Sequence, residues 1–470
     1  MRGYLGVLLA GLLAPGMAGG APSEPSPALW PGLTPFLALA EAAPPEASMG
    51  SAVARASKAL PPAFINAVRS AVQSHPDAAV QRARVAGAEA EVSEAWAAWR
   101  PSLGVGTQRR EGIANAQRLG FDTGSRTDLY LTGSQLLWDF GRAYATIDAR
   151  RAGVDAMRAG GATQLEALVL SAAQAYSEVA QFRAQVGNAN YLRDRMAALR
   201  ALLADRQAMG AGSQAEVLRA DSRIATLEAA RVTLLGQQRQ AEAAYEAVFN
   251  APPPPALAPL APVRVAPADR EAALAQALAT NQSLAEREAE ARALERDAAA
   301  ARRSRYPSLT LQLAGRRYDV EGNWLSQNSA ADEDFAVTLQ GAVPVYQGGA
   351  LSARQDQAAA KAKAAQYTVA AAKREVVRTV QGRYAEAQAR QAELRAQGAV
   401  VAADAAAVSA LSDQFTAGRS SLTELLDAQR DLFFSTRALI NAQSLALQAE
   451  LAYAQATGTL LDTFGVALAP

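Results

Sequence analysis

With no cysteine and a single histidine, His75, among 470 residues, the chain cannot hold a thiolate nucleophile, a disulfide, a cysteine-ligated zinc or a centre needing two imidazoles. Its 46 basic side chains balance 45 acidic ones, so no charge excess points to nucleic acid. Half of the residues are hydrophobic but only 6% are aromatic, with alanine filling much of the difference, which favours long, closely packed helices over an aromatic-rich core.

Met1 and Arg2 precede an apolar stretch from Leu5 to Leu13 and small residues from Pro15 to Ala21. That order predicts a secretory signal over residues 1–21, because about ten apolar residues fall short of the ~20 that a membrane helix needs. Residues 22–61, rich in Pro, Ala and Ser, predict an extended segment. His75 stands just before Pro76, a position that suits a turn or helix cap and leaves no partner set for a serine hydrolase. Nothing in the sequence predicts an enzyme or a cofactor.

Two strands are predicted next, about 102–109 and 127–137, joined by an exposed loop from Arg109 to Arg126. Leu103 and Val105 alternate with Gly104 and Gly106, and Leu129 and Leu131 with Tyr130 and Thr132. A helix of about 65 residues follows, from Gly141 to Met209, since the chain carries no proline between Ser102 and Ala251. At ~1.5 Å per residue it is roughly 100 Å long, which calls for a stalk rather than a globular domain. After the turn at Gly210, Ser213 and Glu216 form a capping box, and Ala220, Leu227, Leu234, Ala241 and Val248 recur every seven residues along the returning helix. A proline-rich linker spans 252–267.

Residues 268–465 then repeat residues 62–251. Trp99-Arg-Pro-Ser-Leu103 matches Arg305-Tyr-Pro-Ser-Leu309 at an offset of 206, which also sets His75 opposite Asn281. From Trp138-Asp-Phe-Gly141 against Tyr346-Gln-Gly-Gly349 the offset is 208 and holds through Gly210 with Gly418, Ser213 with Ser421, Glu216 with Glu424 and Tyr245 with Tyr453. The second pair of strands is expected at about 308–317 and 335–345, with a loop from Arg316 to Asp334. Its Asp332-Glu333-Asp334 run lacks metal-ligand spacing and reads as a solvated acidic stretch. The second long helix runs from about Gly349 to Phe415. Leu426, Phe433, Ile440, Leu447, Ala454 and Leu461 continue the seven-residue seam, and 466–470 form a tail.

Strands of about ten residues with one apolar and one small or polar face fit a membrane barrel, yet four strands cannot close and a bilayer tolerates no open sheet edge. Two copies supply eight strands and three supply twelve. Small residues such as Gly104, Gly106, Thr310, Ala336 and Thr338 suit a water-filled lumen, so the trimer is favoured. Trp99, Trp138, Tyr306 and Tyr346 lie where helix meets strand and are expected to form an interfacial girdle.

The duplicated plan, the Trp-Asp-Phe-Gly and Tyr-Gln-Gly-Gly junctions, and the stretch from Phe415 through Gly418 and Asp427 to Arg430 resemble the TolC family of outer-membrane efflux proteins. The resemblance covers about Pro62 to Phe464. It implies a mainly α protein with a membrane β-barrel portion. Three copies of the duplicated helix–hairpin–long helix–helix unit would close a 12-stranded β-barrel, continued by a 12-helix coiled-coil α-barrel across the periplasm. It also implies partners: a periplasmic adaptor and an inner-membrane ABC transporter or proton-driven pump.

The resemblance places acidic residues, here Glu424 and Asp427, in a ring at the tunnel entrance that would attract cations. In the first repeat Arg219 stands where Asp427 stands in the second. Where the protein that gives the family its name closes its tips with a tyrosine and an arginine, this chain has Phe415 and Ser420. Arg419 stands next to Ser420, and a reach to Glu216 or Glu424 on a neighbouring helix would make it a latch residue. Because one branch of drug-efflux members carries a lipidated cysteine, the cysteine-free sequence favours type I export of a toxin- or hemolysin-like protein. The alternatives are the outer-membrane component of a drug or small-molecule tripartite pump and, in a different class, a soluble periplasmic coiled-coil adaptor.

Overall fold

A computed structural model describes residues 60–116, 120–257, 263–264, 266–317 and 333–467. The predicted signal, nearly all of the Pro/Ala-rich segment and Asp332 lie outside the described residues.

Two short helices, α1 (Pro62–Ser74) and α2 (Pro76–Ala97), lead into strands β1 (Ser102–Ala116) and β2 (Gly120–Trp138). The long α3 (Arg142–Ala208) and the returning α4 (Gln214–Phe249) complete the first repeat. The second runs α5 (Arg270–Thr280), α6 (Gln282–Arg303), β3 (Ser308–Arg317), β4 (Glu333–Ala342), α7 (Ala350–Thr416) and α8 (Leu422–Ala456), followed by the short α9 (Leu460–Phe464).

Helices α3 and α7 each contain 67 residues, and their starts differ by the 208 positions of the sequence repeat. Both begin at the same device. Phe140 and Gly141 in one repeat, and Gly348 and Gly349 in the other, take left-handed backbone angles that swing the chain from strand into helix. In the first repeat the buried Asp139 carboxylate accepts from the amides of Gly141, Arg142 and Ala143, satisfying the orphan donors of the helix start. At the other end both long helices stop in a Schellman turn. The amides of Gly210 and Gly418 donate to Gln207 and Phe415, and those of Ala211 and Arg419 to Arg206 and Gln414. The glycines carry φ of 74° and 72°, where a Cβ would be strained.

The shorter helices stack end to end beside the long ones. α2 lies along the sheet-proximal part of α3, where Glu89 meets Arg158 at 2.6 Å, and α4 lies along the distal part, where Asp221 meets Arg200 at 3.0 Å. α6 and α8 occupy the corresponding halves beside α7, and both also pack on α3. The α6–α8 joint is pinned by Asn281, whose side chain caps α6 at Leu284 and donates to the carbonyl of Ala456. His75 caps α2 through Nδ1, which accepts from the amide of Asp77, as its place before Pro76 suggests.

The main core sits at this waist. Phe64 of α1 packs between Tyr176 of α3, at 4.8 Å, and Phe464 of α9, at 5.6 Å, with Val68, Val169, Leu451 and Leu460 buried around them. Along the distal stalk the seven-residue seam of α8 is buried at Leu426, Phe433, Ile440 and Leu447, and that of α4 at Ala220, Leu234 and Ala241. Among the described residues α7 is the one helix apolar and long enough to cross a membrane, and only 11% of its most apolar window is buried.

The four strands form one antiparallel sheet in the order β1-β2-β3-β4, leaving β1 and β4 as open edges. The first hairpin exceeds its sequence expectation. Pairing continues from Arg109 opposite Thr127 to Ala116 opposite Gly120, through the stretch expected to be a loop. Glu333 and Asp334 likewise pair with Arg317 and Arg316 at the start of β4 instead of lying in a loop. Apolar alternation marks only where a strand meets hydrocarbon, whereas backbone pairing carries a hairpin past that region without it. β4 ends at Ala342, short of the expected 345, because Pro344 has no amide to donate and restrains the residue before it.

Candidate functional site: the sheet faces and the helical tip

Strand register sorts the sheet into two chemistries. Leu103 and Val105 of β1, Leu129 and Leu131 of β2, Leu309, Leu311 and Leu313 of β3, and Phe335, Val337 and Leu339 of β4 share one face. Several of these stand free in the single chain, Leu103 at 73% exposure and Phe335 at 69%. The opposite face carries Gly104, Gly106, Tyr130, Thr132, Thr310, Gln312, Ala314, Ala336, Thr338 and Gln340, which includes every small residue expected to face a lumen.

Both ends of the apolar face are marked. At the helix end Trp138, Phe140 and Tyr306 form a chain of ring contacts at 6.0 and 6.1 Å, and Tyr346 stands nearby in sequence at 83% exposure. Trp99, also expected in this girdle, packs against Tyr144 of α3 at 4.9 Å and is half-buried. Phe140 and Tyr144 were missed by matching the repeats, since Gly348 and Ser352 occupy the equivalent positions. At the far end Arg109, Arg317 and Glu333 stand on the apolar face, with Arg317 and Glu333 paired at 3.6 Å. From Tyr306 to Arg317 a strand tilted by ~40° rises about 28 Å, close to the ~25 Å apolar band of an outer-membrane barrel.

On the polar face, Arg316 reaches diagonally to Asp128, its Nη2 2.7 Å from a carboxylate oxygen of a fully buried side chain. Asp334 is the direct cross-strand partner of Arg316, and Gln108 that of Asp128. Tyr130 lies across Gly106, where any side chain would collide with the ring.

At the tip both capping boxes are formed. The Ser213 amide donates to Glu216 at 3.1 Å and the Ser421 amide to Glu424 at 3.0 Å, while each serine hydroxyl accepts from its helix. Glu424 is therefore engaged as a cap. Asp427 pairs with Arg223 of the first repeat at 3.0 Å and approaches Arg430 at 3.7 Å. Arg219, the counterpart of Asp427, donates to Thr423 at 2.9 Å. These contacts tie the start of α4 to the start of α8.

Phe415, expected at the latch, is buried with the Arg206 guanidinium 5.9 Å from its ring centre, and Ser420, which departs from the latch arginine of the family's namesake, bonds the carbonyl of Leu411. Arg419 is exposed. Sequence reasoning missed Arg206 and Arg223. The arginine-for-aspartate exchange at Arg219 was the available signal that the two repeats meet here with opposite charge.

In the stalk Glu166 of α3 is buried, and desolvation pushes its carboxyl up to about 8. No cluster that would hold a metal ion occurs among the described residues.

The family model described as outer membrane efflux protein matches residues 67–250 and 273–459, one match for each repeat. No curated protein sequence matches the chain. Among solved structures, CusC, described in terms of transmembrane channel formation, superposes with a TM-score of 0.70 at 19% identity over 84% of this chain and 92% of its own. A membrane protein from Pseudomonas aeruginosa gives 0.70 at 19% identity over 86% and 91%. The outer membrane protein VceC from Vibrio cholerae gives 0.66 at 20% identity over 84% and 96%. With both repeats matched across most of its length, the chain belongs to the outer membrane efflux protein family, the TolC-like channels whose barrel sits in the outer membrane and whose helices form a tunnel in the periplasm.

Proposed function

We propose that three copies of the chain close edge to edge into a 12-stranded barrel continued by a 12-helix tunnel, a passive conduit without catalysis. The observation that carries this reading is the segregated open sheet, with leucines and phenylalanine on one face, small and polar residues on the other, and two unpaired edges. A lipid bilayer outside and water inside are the two media that such a sheet separates. The exposed apolar length of α7 offers the surface against which a neighbouring copy packs in the tunnel.

The tips engage a periplasmic adaptor and an inner-membrane pump, and the pump selects the cargo. Efflux in the family description favours small molecules. Type I secretion of a protein is the second reading, favoured by the cysteine-free composition. Purified protein added to a planar bilayer is expected to give discrete conductance steps, and protein that never conducts contradicts the conduit. For the cargo, a deletion strain that accumulates an amphiphilic dye while keeping its secreted proteins supports small-molecule efflux. Loss of one large secreted protein with unchanged dye levels supports type I secretion.

A further inference from the structure

The charged groups on the polar face of the sheet are not accounted for by a passive wall. Small and uncharged side chains fill that face from Ser308 to Ala314 on β3 and from Ala336 to Ala342 on β4. Toward the far end the character changes. Asp128, Arg316 and Asp334 come from three strands onto this face, Asp128 fully buried against the Arg316 guanidinium and Asp334 directly opposite it in the register. Directly opposite pairs on one sheet face have Cβ atoms ~5 Å apart, so the Arg316 guanidinium stands between two carboxylates. On the same rung as Arg316 and Asp334, Tyr130 stretches across Gly106, and the missing side chain lets its phenol lie along the wall.

We propose that Asp128, Arg316 and Asp334 form a charged filter in the barrel lumen that sets ion preference at its outer end, with Tyr130 beside Arg316 on the same rung. The proposal rests on the reading of the sheet as one third of a closed barrel. Twelve strands spaced ~4.8 Å apart and tilted ~40° enclose a backbone cylinder of radius about 12 Å. That is comparable to the ~8 Å screening length at physiological ionic strength, so fixed charges on the wall act on every ion that passes. Burial fixes Asp128, and its ion pair fixes the guanidinium, so the charges keep one position instead of sweeping the lumen as a mobile loop would. At the tip, by contrast, Glu424 serves as a cap and Asp427 is paired with Arg223.

The test is the reversal potential of the purified full-length protein in a planar bilayer under a potassium chloride gradient. Arg316→Gln removes one positive charge per subunit beside two carboxylates and is expected to raise the potassium-to-chloride permeability ratio by about threefold, as removing one wall charge per subunit within a screening length should. Asp334→Asn is expected to lower it by a similar factor. Arg316→Lys, which keeps the charge, is expected to stay near wild type. Asp334 is exposed, so its variant reports on the filter even if loss of the Asp128 partner prevents assembly. Wild-type channels whose selectivity is unmoved by both Arg316→Gln and Asp334→Asn overturn the filter and leave the conduit intact. Absence of wild-type conductance overturns the conduit itself.

Discussion

Asp427 shows how one residue changes meaning between sequence and structure. Three positions after Glu424 on one helix face, it reads as half of an acidic ring, but Glu424 is engaged as a cap and Asp427 meets Arg223 at 3.0 Å. Both partners are over a third exposed, so the pair adds little to stability and its weight is electrostatic. Two substitutions should therefore move selectivity in opposite senses. Arg223→Gln frees the carboxylate and is expected to raise cation preference in bilayer recordings, and Asp427→Asn to lower it. Reversal potentials unchanged in both variants would remove Asp427 from the entrance.

Glu166 permits a pH prediction. Its folded carboxyl titrates near 8, above the ordinary 4.5, so folding favours the protonated form. The stability linked to it is complete below the ordinary value and is lost as pH rises from there through about 8. Glu166→Gln should accordingly raise the midpoint of thermal unfolding at pH 8 more than at pH 4. An equal change at both pH values contradicts a buried neutral carboxyl.

At the scale of elements, the long helices and their ends were legible because each boundary has a local chemical cause. Proline-free tracts, Gly210 and Gly418 past the helix ends, and serine–glutamate boxes at the returns all act within a few residues, and the structure realises each of them. Removing such a cause should have a measurable cost. Ser421→Ala is expected to destabilise the start of α8 by about 1 kcal/mol and to speed protease cutting between Ala417 and Leu422, and an unchanged cutting rate would deny the cap its role. The extended first hairpin was not legible, because past Arg109 the strands pair through backbone groups that hydrophobic alternation does not report. The neighbour of Trp99 was not legible for a related reason. The repeat aligned it with Tyr306, but only the tertiary fold brings Tyr144 over its ring.

For the whole molecule, the duplication read from the sequence is the architecture: two full-length helices, two stacked pairs of shorter ones, and two hairpins joined into one sheet. What a single chain leaves unfinished is equally plain, in two bare strand edges, a leucine-covered sheet face and a long helix with most of its apolar surface uncovered. In the proposed trimer, a bilayer and further copies of the same chain would complete all three at once. The cargo left no comparable trace, since a conduit wall has to pass a substrate rather than bind it.

Oligomeric state in detergent tests this most directly. Native mass measurement of the protein extracted from membranes should give three chains per particle, with a gel mobility that shifts on heating as the barrel opens. A monomer that stays in solution without detergent and migrates identically before and after heating would contradict the account.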